Sequence, residues 1–307
     1  MVLYRSQQDI IIQLLKTLSS QHDIIVKFGV EVEFYMLDEQ NKPIPDDFAN
    51  KILAGAELTF PELCFCKEKG KGQYEFSTKA FEVDADTPYQ DHIASIKQRV
   101  GDFISDQNKF IQFAKKVSAN YDPKPFIDDY GSSMHVHLTL HPGDGLENIF
   151  EHCFIDSTTS TIVTNKSFDN LLLDVITSIL HLLNPSIYLI LGDDESEYQR
   201  LQAGYMAPIN VSWGGNNRTT AIRIPSSPPR RLEFRVPSAS SSFTASAIFL
   251  LASVLHSMDQ IKMVAKALPR THGNAQDYPE LEKICSSVQE AKERFSLDCI
   301  IRQLLRD

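Results

Sequence analysis

Alternating charged and apolar residues in several short segments are the feature that most limits how this chain can fold. In residues 30–35, two valines and a phenylalanine alternate with Glu31 and Glu33. Residues 134–140 and 231–236 show the same alternation, with histidine, arginine or glutamate on the polar side. A period of two places the two sets of side chains on opposite faces of a β-strand. The pattern therefore predicts strands with one face on an apolar core and one polar face.

Helical periodicity between these segments completes the predicted fold class. Strands are predicted at residues 24–37, 62–67, 73–78 and 134–140, and as short segments within 206–237. Helices are predicted at about residues 6–20, 88–118, 168–183, 243–267 (capped by Ser241 or Ser242) and 277–306. Residues 141–166 are expected to form a loop. Because the elements do not alternate as βαβ units, we predict an α+β fold built on an antiparallel sheet.

Composition and charge exclude several classes of protein. The 307 residues include 30 Lys and Arg against 40 Asp and Glu, and this net charge of −10 disfavours nonspecific nucleic-acid binding. Polar residues and Pro185 interrupt the apolar stretch 171–191, so we interpret it as a buried helix followed by a second apolar segment, not a membrane span. The N-terminus resembles no secretory signal, and the cysteines, including Cys64 and Cys66, are interpreted as reduced packing residues in a cytoplasmic protein.

The residue types on the polar faces indicate a particular chemistry. The set consists of Glu31, Glu33, Glu75, His135, His137 and Glu233, joined by Arg218, Arg223, Arg231 and Arg235. For any single strand a water-facing surface is the simpler interpretation, but such a surface would be rich in Lys, Thr, Gln and Ser. Clustered carboxylates repel unless a cation neutralises them, and oxygen and imidazole ligands suit Mg²⁺ or Mn²⁺.

The arginines extend this interpretation to a phosphorylated ligand. Guanidinium groups beside divalent cations suit a nucleoside triphosphate, because they pair with phosphate oxygens. The sequence contains neither a P-loop nor a G-x-G-x-x-G motif, so the phosphates would not bind to either of those turns. We therefore predict a metal-assisted phosphoryl-transfer site on the sheet.

Five sequence blocks carry most of these polar residues. They are EVEF from Glu31, EKGKGQYE from Glu68, KPFIDDYGSSMHVH from Lys124, YQRLQAGYMAP from Tyr198, and NRTTAIRIP from Asn217 with RRLEFRVP from Arg230. In this order, over about residues 28–255, they resemble the catalytic domain of glutamine synthetase. The resemblance implies a curved antiparallel sheet that lines the active site, with helices packed outside. It also implies a single catalytic domain over residues 1–307, with its core at about 24–258 and a helical tail at about 259–307.

The resemblance implies roles for individual residues. One divalent cation, Mg²⁺ or Mn²⁺, would be held by Glu33, Glu68 and Glu75. A second cation, nearer the nucleotide phosphates, would be held by Glu31, His135 and Glu233. Glutamate would be bound by Arg200, Gly131 and Arg235. Arg218 would meet the phosphoryl group in transit, so Arg218 and Arg235 are the expected catalytic residues. ATP would be bound by Arg223, Arg231, His137 and Thr139.

The implied reaction is amide synthesis by an ADP-forming ligase. ATP would phosphorylate the γ-carboxylate of glutamate or a related acid, and an amine would displace phosphate from the acyl phosphate. The expected partners are these small molecules and a second copy of the chain, with no nucleic acid and no membrane.

Three departures from the family pattern concern the substrate. Met206 stands where the family has the glutamate of a G-Y-E-A-P motif, and methionine offers neither a negative charge nor a proton acceptor. We therefore expect impaired use of ammonia. Tyr130 and Ser133 replace an asparagine and a glycine at the glutamate site. The family's small N-terminal β-grasp domain, which contributes an aspartate to the ammonium pocket, is expected to be missing.

Three functions remain open from the sequence. The first is the ligase, with a bulkier amine in place of ammonia. The second is a degenerate homologue that binds Mg-ATP without making an amide and serves as a regulatory or assembly partner. The third is a guanidino-kinase-like phosphotransferase, which shares the sheet architecture but which the five blocks disfavour.

Overall fold

A mostly antiparallel sheet organises the fold. The computed structural model describes residues 6–84, 91–107, 116–155, 162–164, 171–259 and 270–297. Its strands are β1 (Ile24–Asp38), β2 (Leu63–Lys67), β3 (Gln73–Thr78), β4 (Phe81–Glu82), β5 (Val117–Asn120), β6 (Met134–Pro142), β7 (Cys153–Ile155), β8 (Ile162–Thr164), β9 (Trp213–Gly215), β10 (Ile222–Ile224) and β11 (Leu232–Phe234).

The order of the strands places the longest ones at the centre of the sheet. The path is β2-β3-β1-β6-β11-β10-β9, while β4 and β5 pair with opposite ends of β1. These pairs are antiparallel except for β9 with β10, and β7 and β8 form a separate antiparallel pair. The predicted α+β fold on an antiparallel sheet is therefore confirmed.

Helices cover the apolar face of the sheet. They are α1 (Gln7–His22), α2 (Asp46–Thr59), α3 (His92–Asp106), α4 (Leu171–Leu191), α5 (Glu195–Gln199), α6 (Phe243–Asp259) and α7 (Val288–Leu297). The rings of Phe28 in β1 and Phe243 in α6 lie 5.5 Å apart, and those of Phe234 in β11 and Phe249 in α6 lie 5.3 Å apart. Helices α1 and α4 pack on α6 in turn. This layer buries the apolar set of strand residues, so the alternating polar set lies on the other face.

Helix starts follow the expected capping chemistry. The Ser6 hydroxyl accepts a hydrogen bond from the backbone N–H of Asp9 at 3.2 Å, at the start of α1. At the start of α6, the Ser242 hydroxyl accepts from the backbone N–H of Ala245 at 3.3 Å. Of the two serines proposed as the cap, Ser242 therefore makes the capping bond.

Two differences from the predicted elements lie around β1. The helix predicted over 88–118 ends at Asp106, and its last predicted residues belong to β5, which pairs with the end of β1. Residues 108–115 lie outside the described part of the chain. Helix α2 was not predicted, although Asp46 and Asp47 follow Pro45 at its start. Acidic residues in a first helical turn are a recognised start signal, because they complement the helix dipole.

Helix α4 continues where the sequence predicted an interruption. The helix is unbroken through Pro185 and ends at Leu191. The preceding residue, Asn184, is buried, and its side chain donates to Lys283 O at 2.8 Å and accepts from Cys285 N at 3.0 Å. Burial of the apolar residues on both sides of the proline outweighs the backbone hydrogen bond that proline cannot make. By length and composition α4 could cross a membrane, but 67% of its apolar window is buried inside the protein.

The remaining differences concern the ends of predicted elements. The loop predicted over 141–166 contains a 3-10 turn at Ile149–His152 and the β7–β8 pair. The helix predicted over 277–306 is described only as α7, with its last predicted residues outside the described part. Residues 260–267 of the helix predicted over 243–267 likewise lie outside it.

Candidate active site

The register of the sheet brings the polar residues together. Glu33 stands opposite Glu75 in the β1–β3 pair, and Glu31 stands opposite His135 in the β1–β6 pair. Glu233 is paired with His137 on one side and with Arg223 on the other. Exposure of Glu233, His135 and Glu75 is only 0%, 7% and 9%. The interpretation as a water-facing surface is therefore wrong for these residues.

A cleft of about 300 Å³ opens above this face of the sheet. Its lining includes the predicted residues Glu31, Glu33, Glu68, Glu75, Gly131, His135, Arg200, Arg218, Arg223, Arg231 and Arg235. Glu233 is fully buried beside them. A second cavity of about 380 Å³ adjoins the cleft, shares Glu31 and Arg231 with it, and is lined by His137 and Thr139. The predicted residues that meet here come from five strands and six connecting segments, and their individual roles stay predictions.

Crowded carboxylates characterise one part of the cleft. One donor atom from each of Glu31, Glu75 and His135 lies within 4.8 Å of the others. Burial, reinforced by Glu31 and Glu33, raises the pKa of Glu75 to about 9. Burial and Glu33 likewise raise the pKa of Glu68. A donor set of carboxylates and one imidazole fits a divalent cation, which would relieve the repulsion that these shifts express.

Two histidines fix the charge on Glu31. His135 Nδ1 lies 3.2 Å from one oxygen of Glu31, and His137 Nε2 lies 3.0 Å from the other. Burial alone would raise the pKa of Glu31, but hydrogen bonds from both histidines outweigh it and lower the pKa. Burial and the nearby Arg235 guanidinium lower the pKa of His135. A neutral imidazole is the form that binds a metal ion.

Glu233 is bound by arginines on both of its oxygens. Arg223 Nη1 lies 2.6 Å from Oε2, and Arg235 Nη1 contacts Oε1. Burial would raise the pKa of Glu233, but His135 and Arg235 together lower it. The geometry therefore groups Glu75, and not Glu233, with Glu31 and His135. Which carboxylates share each cation stays a prediction.

Glu33 is held by neutral donors. Its Oε2 accepts from the backbone N–H of Ser133 at 2.8 Å and from Gln73 Nε2 at 3.3 Å. Gln73 also donates to the carbonyl of Gly131 at 3.1 Å. Because the Ser133 contact uses the backbone, the replacement of glycine by serine in this motif leaves it in place.

Arg200 and Gly131 form one packed unit in the lining of the cleft. Arg200 is 3% exposed, and its Nη2 donates to Arg235 O at 3.1 Å and to Val236 O. Burial lowers the pKa of Arg200 to about 10, so the side chain stays cationic near neutral pH. A Cβ atom at position 131 would lie 2.5 Å from Arg200 Cγ and 2.7 Å from Pro123 O. Only glycine fits against this arginine without a shift of its neighbours.

The mouth of the cleft is lined by Met206 and two tyrosines. Met206 is 37% exposed and has a φ of 57°, in the left-handed region. Lys69 Nζ lies 3.4 Å from its sulfur. The rings of Tyr130 and Tyr205 meet edge to face at 5.7 Å, and Lys124 Nζ lies 3.6 Å from the centre of the Tyr205 ring. Met206 and the two tyrosine rings therefore give this part of the cleft an apolar surface, and Lys69 and Lys124 lie beside it.

Cys66, interpreted from the sequence as a packing residue, lies in the lining of the cleft. Cys66 stands opposite Glu75 in the β2–β3 pair, and its sulfur lies 3.6 Å from Glu75 Oε1. Burial and the Glu75 carboxylate raise the pKa of this thiol to about 12. Its position in a predicted strand, two residues before Glu68, could have predicted that it lies near the cation ligands.

The fold and the cleft define an α+β protein with acidic and arginine clusters on one sheet face. The family described as "Glutamine synthetase, catalytic domain" matches residues 45–307. This chain therefore belongs to the glutamine synthetase catalytic-domain family. It is 28% identical over 246 residues to the glutamine synthetase of Pyrococcus woesei, covering 78% of this chain and 50% of that protein.

Further similarity extends to a second kind of relative and to solved structures. Over 146 residues the chain is 30% identical to the gamma-glutamylputrescine synthetase PuuA of Escherichia coli K12, covering 47% of this chain and 28% of that protein. Ligand-free GmaS superposes with a TM-score of 0.75 at 20% identity, covering 98% of this chain and 69% of that chain. A GmaS complex with ADP gives a TM-score of 0.73 at 18% identity, with the same coverage. The chain spans about half the length of the curated glutamine synthetase it matches.

Proposed function

We propose that this chain is an ATP-dependent carboxylate–amine ligase that forms an amide on the γ-carboxylate of glutamate or a related acid. One observation carries the proposal: a buried acidic cluster and a group of arginines line the same cleft. The first can hold divalent cations, and the second can hold phosphates. Membership of the glutamine synthetase catalytic-domain family and the fold shared with an ADP-bound relative support the same assignment.

In this proposal the acidic end of the cleft holds the cations. Carboxylates of Glu31, Glu33, Glu68 and Glu75 and the imidazole of His135 would bind Mg²⁺ or Mn²⁺. Bound there, the ions supply positive charge beside the phosphates of ATP. Arg223 and Arg231 would contact those phosphates, and His137 and Thr139 would line the nucleotide side, in the adjoining cavity.

Three further arginines of the cleft would bind and activate the acid. Arg200 would pair with its α-carboxylate, with the backbone of Gly131 alongside. Arg235 would face the γ-carboxylate, and Arg218 would stabilise the charge on the transferring phosphoryl group. Loss of one such group from a preorganised site typically lowers kcat by about 10²–10³-fold.

We further propose that the attacking amine is bulkier or less charged than ammonium. The position that would attract an ammonium ion carries Met206, with Lys69 beside its sulfur. The name of one relative, gamma-glutamylputrescine synthetase, shows that an amine other than ammonia is used within this family. Small-molecule substrates, a homo-oligomeric assembly and a cytoplasmic location complete the proposal.

Phosphate release tests the proposal. Purified chain with ATP, Mg²⁺ and glutamate should release phosphate in an amine-dependent way when a panel of amines is added. Arg218→Ala should lower this turnover by about 10²-fold or more, whereas Arg99→Ala, which lies outside the cleft beside Glu62, should leave it unchanged. Failure to turn over with any amine would contradict the ligase assignment.

A second function is favoured by one observation, the methionine at position 206. A degenerate homologue that binds Mg-ATP without amide synthesis would keep the cation and arginine clusters and lose the amine site. Calorimetry separates the two functions, because binding of Mg-ATP without hydrolysis supports the degenerate homologue and multiple turnovers exclude it. Family membership disfavours the guanidino-kinase-like phosphotransferase.

A further inference from the structure

A thiol completes a second group of donor atoms at the acidic end of the cleft. One donor atom from each of Cys66, Glu68 and Glu75 lies within 4.8 Å of the others. Cys66 and Glu75 are held opposite each other by the β2–β3 ladder, so their proximity is set by backbone pairing. Both side chains line the cleft, whereas Cys64 of the same strand does not.

The burial and the contacts of the Glu75 carboxylate favour a cation bound by Cys66, Glu68 and Glu75. The carboxylate is nine-tenths buried, and within the described part of the chain no Lys, Arg or His forms an ion pair with it. Its hydrogen-bond partner there is the weak thiol donor of Cys66. In its charged form a buried carboxylate without a cationic partner, in a cleft also lined by Glu31, Glu33 and Glu68, is costly, and a bound cation removes that cost.

The spacing of sulfur and oxygen fits ligands of one ion. Zinc binds thiolate sulfur at about 2.3 Å and carboxylate oxygen at about 2.0–2.2 Å in tetrahedral geometry, which puts the two ligand atoms about 3.6 Å apart. The sulfur of Cys66 and Oε1 of Glu75 are 3.6 Å apart. No rearrangement of the strands is needed for both atoms to reach one ion.

We infer that Cys66 is a ligand of the cation held by Glu68 and Glu75, and that this position prefers thiophilic divalent ions such as Zn²⁺, Co²⁺ or Cd²⁺ over Mg²⁺. The thiol proton passes to solvent as the metal–sulfur bond forms. The position formed by Glu31, Glu75 and His135 has only oxygen and nitrogen donors and suits Mg²⁺ or Mn²⁺. The two cation positions of the proposed ligase are thus chemically distinct, and the inference deepens that proposal.

Metal binding without turnover tests the inference. The purified full chain, stripped with a chelator, is titrated with Cd²⁺ or Co²⁺ while the ultraviolet charge-transfer band of the metal–thiolate bond is recorded. We expect a band that saturates at one equivalent. Cys66→Ser should abolish this band and weaken Cd²⁺ binding on the order of tenfold or more, while Mg²⁺ binding changes less than about twofold. Cys64→Ser, two residues away on the same strand, should retain both.

A further variant separates a lost ligand from a misfolded chain. Cys66→Asp replaces sulfur with a hard oxygen donor and should bind Mg²⁺ or Mn²⁺ at least as tightly as the unmodified chain, while the charge-transfer band stays absent. A band of equal intensity in Cys66→Ser, a band lost in Cys64→Ser, or no band in the unmodified chain would each overturn the inference. Because none of these readouts involves ATP hydrolysis, a failed ligase assay would leave them intact, and their failure would leave the ligase proposal standing.

Discussion

His135 stands directly opposite Glu31 in the β1–β6 pair, with its Nδ1 3.2 Å from Glu31 Oε2. The two side chains meet because the ladder fixes their backbones at the centre of the sheet, and a shift of one residue would turn each to the other face. The same argument applies to Glu33 with Glu75 and to Glu233 with its neighbours. The backbone pairing of the strands therefore positions the side chains of the site. Substitutions of these residues should change both the stability of the fold and the binding properties of the site.

Glu233→Gln should destabilise the chain strongly. The fully buried Glu233 carboxylate neutralises Arg223 and Arg235, and its loss leaves two guanidinium groups with little compensation. Removal of one partner of a buried pair costs about 3–5 kcal/mol. The free energy of unfolding from denaturant titration checks this value. Glu62→Gln, which breaks the exposed contact with Arg99, should cost less than about 1 kcal/mol, and equal losses in the two variants would contradict the prediction.

Glu75→Gln should stabilise the metal-free chain at neutral pH. Burial, Glu31 and Glu33 raise the pKa of Glu75 from 4.5 to about 9. Between these values the folded chain binds a proton that the unfolded chain releases, so stability falls as the pH rises. The variant lacks this dependence. With a chelator present, the advantage of the variant in Tm should grow between about pH 5 and pH 8, reaching on the order of 6 °C.

The same substitution should remove cation binding. The gain in stability without metal and the loss of cation binding can therefore be measured in one variant. Mg²⁺ or Mn²⁺ should raise the Tm of the unmodified chain by binding the folded state and should not raise that of Glu75→Gln. A metal-free variant that is less stable than the unmodified chain at every pH would show that the Glu75 carboxylate is not under the repulsion described above.

Much of the site could be predicted because the alternation of polar and apolar residues is visible within each strand separately. The alternation of Glu31 and Glu33 with valines fixes which side chains share a face, and the same holds for His135 and His137. The polar faces of these strands coincide because their apolar faces all pack against the same layer of helices. The predicted cleft residues were therefore brought together even though the order of the strands in the sheet was not predicted.

The sequence did not predict which side chains contact each other between neighbouring strands. That Glu233 is bound by two arginines, and that Cys66 faces Glu75, depends on register and side-chain direction. The continuation of α4 through Pro185 depends on burial against other helices, which local propensity does not contain. The strand at Val117–Asn120 likewise forms because the end of β1 offers unpaired backbone groups.

Gly131→Ala should weaken binding of the acid without weakening binding of ATP. The new Cβ would lie 2.5 Å from Arg200 Cγ, so the arginine that would bind the α-carboxylate must shift. We expect KM for glutamate, or its calorimetric Kd, to rise on the order of tenfold, about 1.4 kcal/mol. The control is Gly101→Ala in α3, where a Cβ meets no atom within 4 Å. Both constants should stay unchanged there, and equal effects on ATP and acid in Gly131→Ala would contradict the assignment.

Met206→Glu should introduce ammonia-dependent turnover. The side chain lies at the mouth of the cleft, and Arg235 Nη2 lies 3.5 Å from its carbonyl, so a carboxylate here would stand beside the proposed reaction centre. It would attract an ammonium ion and accept its proton, neither of which methionine can do. Ammonium-dependent phosphate release should rise at least about tenfold, equivalent to about 1.4 kcal/mol of transition-state stabilisation. Met206→Gln has the same shape without the charge and should show no gain; a gain in both variants, or in neither, would place the defect elsewhere.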